Sequence, residues 1–253
     1  MMRKNEFTLP ELIMAVTVVM LQFVLIASLC GEASHGEGKL LCENHLKNLG
    51  NGAASYSTDQ NGYFMPGGVA GKNTDQPFET WATLLGCSQR GNYVKAENFN
   101  CPNMMIYLPE RWHNAKELSS TQNWIWHKPA YGYNTAFPGG ERRAGNIIRS
   151  QPYSIAAIDN PANLLMMADS ADEVRKYGSF RINFVYATDG SVLWPRHDGA
   201  VNVLFADGHV HATSSGLAGG GNDASKKLYE SGQELESAAT QNKDECKWRC
   251  GLD

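Results

Sequence analysis

Towards the end of the chain five residues, His197, Asp198, Asp207, His209 and His211, bring imidazoles and carboxylates together in one short run. Imidazole pairs on one strand face can hold zinc, and alternate residues of a strand share a face, as His209 and His211 would. His197 and Asp207 are the other weak metal candidates. No stretch has the spacing of an EF-hand calcium loop. A simpler structural role takes precedence over metal. Asp207 caps a turn, and His197 hydrogen-bonds to the hairpin or a neighbouring loop. Six cysteines add a second chemistry. Cys30 ends an apolar run, and Cys42, Cys87, Cys101, Cys246 and Cys250 follow it. No CxxC pair occurs, so the five later cysteines are disulfide candidates if the domain meets an oxidising compartment. Cys246 and Cys250 can pair with each other, or lock the tail to the body through Cys87 or Cys101.

The motifs of common catalytic sites are missing: GxSxG, HExxH, the P-loop and a GxGxxG that opens a helix. Gly219-Gly220-Gly221 lacks the Lys-Ser/Thr of a phosphate loop. No enzyme activity and no cofactor are expected. A net charge of -4 with 22 Lys and Arg against 26 Asp and Glu gives no general attraction to nucleic acid.

The elements that must position these residues start with strands. Val201, Val203 and Phe205 alternate with Asn202, Leu204 and Ala206 at the strand period. Asp207-Gly208 then reads as a tight two-residue hairpin turn, with Gly208 supplying positive φ. Leu164 to Asp169, Phe180 to Tyr186 and Ser191 to Trp194 are further strand candidates, and Trp81 to Leu85 is a candidate short helix. Trp112, Trp124 and Trp126 sit in a polar insertion, where they either cover a small core or offer a sugar-stacking surface.

Leu12 to Leu29 carries no charge. As a helix these residues reach about 27 Å, close to the roughly 30 Å hydrocarbon core of a bilayer. Arg3 and Lys4 before the run set an expected orientation, N-terminus in the cytoplasm and the rest outside the inner membrane. An ordinary signal peptide is shorter, and a lipoprotein signal would want a small residue at Leu29. Gly31, Gly36 and Gly38 predict a break in the helix. Beyond it Cys42, Leu46, Leu49, Ala53 and Tyr56 recur at steps of four and three, one face of a helix over 39–57.

Phe7-Thr8-Leu9-Pro10-Glu11-Leu12 resembles the start of type IV pilins and type II secretion pseudopilins. The resemblance implies a prepilin peptidase cutting between Glu6 and Phe7, N-methylation of Phe7, and a Glu11 that pairs with the new amine of a neighbouring subunit. The family has Gly before the cut and this chain has Glu6, so a cleaved subunit and an uncut anchor both stay open. Cys42 to Gly50, Tyr56 and Asn61 to Pro66 are similar to a large pilin-like family. Phe99 to Pro102 and Tyr131 to Asn134 are similar to that family's internal signposts. His197, nine further residues and then Asp207-Gly208 resemble its prepilin-type processing-associated C-terminal motif. The implied organisation is a leader and transmembrane helix (1–30), a stem helix (31–62), a pilin-like globular domain (63–215) and a flexible tail (216–253). The residues of the tail from Ala224 to Ala239 can form a short solvated helix. The implied fold is α+β, a long N-terminal transmembrane helix packed on a mainly antiparallel sheet. The implied function is a membrane-anchored structural subunit of a secretion or surface apparatus, with the membrane and other pilin-like subunits as partners. The alternatives are a non-assembling, envelope-anchored binding protein, such as a carbohydrate binder, and a metal-dependent hydrolase at the histidine hairpin.

Overall fold

The structure, a computed structural model, describes residues 9–69, 79–104, 109–135, 137–144, 147–182, 190–217 and 222–230. Within them the side chains of 12, 23–37, 109–110, 115, 142–149, 225 and 228–230 are outside the description. Glu6, Phe7, Cys246 and Cys250 lie outside the described residues. So do most of the strand expected over Phe180 to Tyr186 and the end of the helix expected over 224–239. The chain divides into two compact units, Met1–Leu40 and Leu41–Asp253.

Helix α1 runs from Leu9 to Asp59 over 51 residues. Two expectations are corrected here. The break at Gly31–Gly38 is absent, because the helix is continuous through it. The roughly 1 kcal/mol that each glycine costs relative to alanine is a modest penalty inside so long a hydrogen-bonded ladder. The transmembrane helix is not supported either: among the described residues no helix is long and apolar enough to cross a membrane. The single-pass placement in the inner membrane, with a cytoplasmic N-terminus and an outer globular domain, falls with it.

The second unit is built on antiparallel strands. Its short pieces are β1 (Gly68–Val69), β2 (Glu79–Thr80), β3 (Tyr131–Tyr133), β4 (Glu141–Ala144) and β5 (Ile147–Ser150). Its longer ones are β6 (Leu165–Asp172), β7 (Ser191–Leu193), β8 (Ala200–Phe205) and β9 (Val210–Ser214). The main sheet has the order β3-β6-β8-β9, with β7 also on β6, while β1-β2 and β4-β5 form separate ladders. β8 pairs with β6 over Leu165 to Ala168, and β7 pairs with it over Ser170 to Asp172. Asp169 is the step between those two stretches. The strand expected to end at Asp169 therefore continues to Asp172.

Both faces of this sheet are covered. Val201, Val203 and Phe205 join Leu165, Ala168, Val192, Leu193 and Trp194 in one cluster. Leu204 joins the larger cluster with Cys42, Leu46, Leu49 and Ala53 of α1. The predicted helix face is thus the buried one, with Tyr56 half-buried at its end. Gly50 and Gly52 permit close approach on this side. A Cβ at Gly50 would come 3.1 Å from Leu204 Cδ1, and one at Gly52 only 2.1 Å from Val94 Cγ2.

Helix α2 (Trp81–Gly86) starts on a capping box between Thr80 and Thr83. Short helices α3 (Pro109–Trp112) and α4 (Ala115–Leu118) belong to the aromatic insertion, and α5 (Asn222–Glu230) lies near the end. Trp112 and Trp126 are buried; Trp112 stacks on Phe99 and Trp126 meets both rings edge to face, at centroid distances of 5.6–5.7 Å. They are core, and offer no sugar-stacking face. Trp124 is 43% exposed beneath the Arg111 guanidinium, 4.8 Å from its ring centroid.

His127 packs edge-on against Phe180 at 5.3 Å. Burial, with the nearby charges of Lys128 and Arg181, lowers its pKa to about 4. The unfolded chain, with an ordinary imidazole near 6.5, then binds more protons than the fold between pH 6.5 and 4. Stability supplied by neutral His127 is present above pH 6.5 and lost as pH falls through that window. Chemical denaturation across this range should show a loss of up to about 3 kcal/mol, and His127→Phe should flatten that slope.

Candidate functional site

The site forms where β6 changes partners. Residues 194–199 link β7 to β8. Trp194 N–H donates to Asp169 O at 2.9 Å, and the chain then turns sharply before entering β8. The turn is Asp198-Gly199. Both have positive φ, 53° and 79°, and it is closed by His197 N–H to Ala200 O at 3.3 Å and Ala200 N–H to His197 O at 3.0 Å. This is a tight two-residue turn. The hairpin expected at Asp207-Gly208 also forms, with β8 paired to β9 on either side of it. The β8-β9 connection is longer. Phe205 N–H donates to His209 O at 2.9 Å across it, and Gly208 sits at φ +91°.

The link carries Arg196 and His197 inward onto Asp169. All three are buried, Asp169 completely. Asp169 Oδ2 accepts the Asn202 backbone N–H at 2.7 Å and lies 3.5 Å from His197 Nε2. Its Oδ1 lies 3.7 Å from Arg196 Nε. The Arg196 guanidinium donates from Nη2 to Ala130 O and Ser170 O, both at 2.7 Å, and from Nη1 to Met104 Sδ. Burial lowers the Arg196 pKa, opposed by the negative charge of Asp169. A carboxylate and a guanidinium taken out of water each cost several kcal/mol, which their mutual attraction and these hydrogen bonds offset.

Cys42 of α1 and Cys101 complete the cluster. They form a disulfide with a Cα–Cα distance of 5.8 Å and a sequence separation of 59. Cys101 Sγ lies 3.9 Å from His197 Nε2. Tyr131 on β3 reaches over the pair, its hydroxyl 3.4 Å from Cys42 O and 3.5 Å from Asn100 O. Burial raises its pKa well above the ordinary value, so it stays a neutral donor. Five polar atoms here are buried and without a hydrogen-bond partner among the described residues: Asp169 Oδ1, Arg196 Nε, His197 Nδ1, and Asn202 Nδ2 and Oδ1. Orphaned buried polar atoms are costly and call for an explanation.

The expected site residues are therefore separated. His197 belongs to the buried cluster and faces Asp169 and Cys101, not the hairpin. Asp207 and His209 form an exposed pair, Oδ1 to Nδ1 at 2.6 Å, in the β8-β9 turn. Despite partial burial, hydrogen bonds from His209 hold Asp207 below its usual pKa. The His209 ring stacks on Phe205 at 4.3 Å, and His211 is exposed on β9. His209 lies just before β9 and His211 on it. Asp172 accepts from Val174 and Arg175 N–H and pairs with Arg175, turned to a different task from Asp169. Glu11 is exposed in the first turn of α1. Cys87 is a free, buried thiol. Cys101, one of the two proposed body partners for the tail cysteines, is already taken by Cys42.

The sequence reading missed the pairing of Cys42 with Cys101 and the role of Arg196. A signal for the second was present: Arg directly before the motif histidine, with an Asp ending an otherwise apolar strand stretch. No family model, curated protein or solved structure matches the chain.

Removing one partner of the buried pair should cost more than removing the charge from both. Asp169→Ala leaves Arg196 uncompensated and the Asn202 N–H unpaired, and is expected to cost about 3–5 kcal/mol. The double variant Asp169→Leu with Arg196→Met should recover most of that loss, as read by urea denaturation of all three proteins.

Proposed function

We propose that this chain is a pilin-like structural subunit, an assembling protein whose copies associate through the first part of α1. The observation that supports this reading is the exposure of large apolar side chains there. Leu9, Ile13, Met14, Val16, Val18, Val19, Met20 and Leu21 are each 47–72% exposed. Consecutive positions such as Val18 to Leu21 point in different directions around the helix, so the apolar surface goes all round. A helix of that kind needs cover on every side, and single chains rarely expose so large a contiguous apolar patch. Like helices from other copies supply it with matching chemistry. The pilin-like start at Phe7 to Leu12 and the His197–Gly208 motif point the same way. The globular unit, with its buried aromatic insertion, then provides the outer contacts of an assembly.

Sedimentation velocity of the full chain tests this. Self-association in the micromolar range is expected, and Val16→Glu with Met20→Glu, one turn apart on one face, should raise its midpoint at least about tenfold, roughly 1.4 kcal/mol. A full chain that stays monomeric at high concentration would end the reading. Mass spectrometry of the mature N-terminus from the native host tests the processing step. A methylated Phe7 supports a processed subunit, and an intact start removes the Glu11–amine contact from the assembly mechanism.

A further inference from the structure

Cys42, Cys101 and His197 each offer one ligand atom, and the three atoms lie within 4.8 Å of one another in a fully buried cluster. The fourth side is Asp169, with Oδ2 at 3.5 Å from His197 Nε2. Tetrahedral zinc, with bonds of about 2.3 Å to sulfur and about 2.0–2.2 Å to nitrogen or oxygen, places S···N pairs roughly 3.6 Å and N···O pairs roughly 3.4 Å apart. The observed 3.9 Å from His197 Nε2 to Cys101 Sγ and 3.5 Å to Asp169 Oδ2 are close to those spans. Two thiolates, a neutral imidazole and a carboxylate are a donor set for a borderline-soft cation.

We propose that the reduced chain binds one divalent cation of the zinc class at Cys42, Cys101, His197 and Asp169, and that the Cys42–Cys101 disulfide and the bound metal are alternative states of one site. Charge supports the exchange. With the disulfide, Asp169 and Arg196 cancel. With the metal, two thiolates and Asp169 balance a divalent ion and Arg196. Each state leaves the buried cluster neutral, as a low-dielectric interior requires. The second shell is in place, since the Asn202 N–H holds the Asp169 carboxylate at 2.7 Å. His197 Nδ1 and the Asn202 amide, both unpartnered in the disulfide state, are the polar groups nearest to hand for orienting the ligands.

The conversion balances. Two metal-bound thiolates give up one electron each to a small-molecule disulfide. The Cys42–Cys101 bond forms, the external disulfide bond breaks into two thiolates, and the cation leaves. In the reverse direction an external dithiol supplies two electrons and two protons, and the cation then displaces both protons from the thiols. Cys42 and Cys101 are wholly buried, so each direction passes through local opening of the 101–104 segment against α1.

Cobalt(II) is the probe, added to the full chain with Cys30, Cys246 and Cys250 replaced by Ser. The chain is reduced with a phosphine in denaturant and refolded. One equivalent should bind, with the near-ultraviolet thiolate-to-cobalt charge-transfer band and the visible bands of a tetrahedral site. His197→Gln should weaken binding by more than about tenfold, since even outer-shell losses cost that much. The oxidised chain should give no charge-transfer band. The proposal is overturned if the reduced chain, folded by circular dichroism, gives no such band, or if Cys42→Ser with Cys101→Ser binds equally well. Should those variants fail to fold, alkylation of the parent chain decides: cobalt must protect Cys42 and Cys101 from iodoacetamide, and labelling that is unchanged by the metal rejects the site.

Discussion

A single buried carboxylate organises the centre of the globular unit. Asp169 stands at the step where β6 leaves β8 and takes β7 as its partner, and a change of partner strands a backbone N–H on the incoming strand. Its Oδ2 takes that N–H, from Asn202, while its backbone oxygen takes the N–H of Trp194. Arg196 answers the charge and ties the entry into β3 to β6 through Ala130 O and Ser170 O. Three strands and one link are thus held by one ion pair. Hydrophobic packing alone does not fix their register, since both faces of β8 are apolar enough to be buried.

The same cluster ties the sheet to α1. Cys42 lies at the start of the buried helix face, and its disulfide to Cys101 holds that face over the sheet beside His197. Leu46, Leu49 and Ala53 continue the contact. Stabilisation from closing a loop of this length is about 4 kcal/mol on the chain-entropy account, comparable to the burial of two large side chains. The earlier part of α1 has a different character. Its apolar side chains stay exposed from Leu9 to Leu21.

Local patterns were legible where one period dominated. The four-and-three spacing from Cys42 to Tyr56 marks the buried helix face correctly, and the alternation through Val201 to Phe205 marks β8. The expected membrane span is overturned because among the described residues no helix is long and apolar enough to cross a bilayer, and the expected break at Gly31 to Gly38 because glycine propensity is a weak term against an already nucleated helix. The hairpin at Asp207-Gly208 was legible as well, with β8 paired to β9 across it and Gly208 at positive φ, although its connection is longer than two residues. The second Asp-Gly turn, at Asp198-Gly199, carries the same turn chemistry and was not foreseen.

The sequence by itself determined the helix face, the principal strands, the buried aromatic insertion as one of two readings, and the lack of familiar catalytic motifs. Those follow from periodicity and composition, which are local. The tertiary structure decided which cysteines meet and which way His197 points, and it separated His197 from Asp207, which follows nine intervening residues in the motif. Contacts between Cys42, Cys101, Asp169 and His197 join positions far apart in the chain. They exist because α1 and the β7-β8 link close on the two sides of one carboxylate, and no local pattern encodes that meeting.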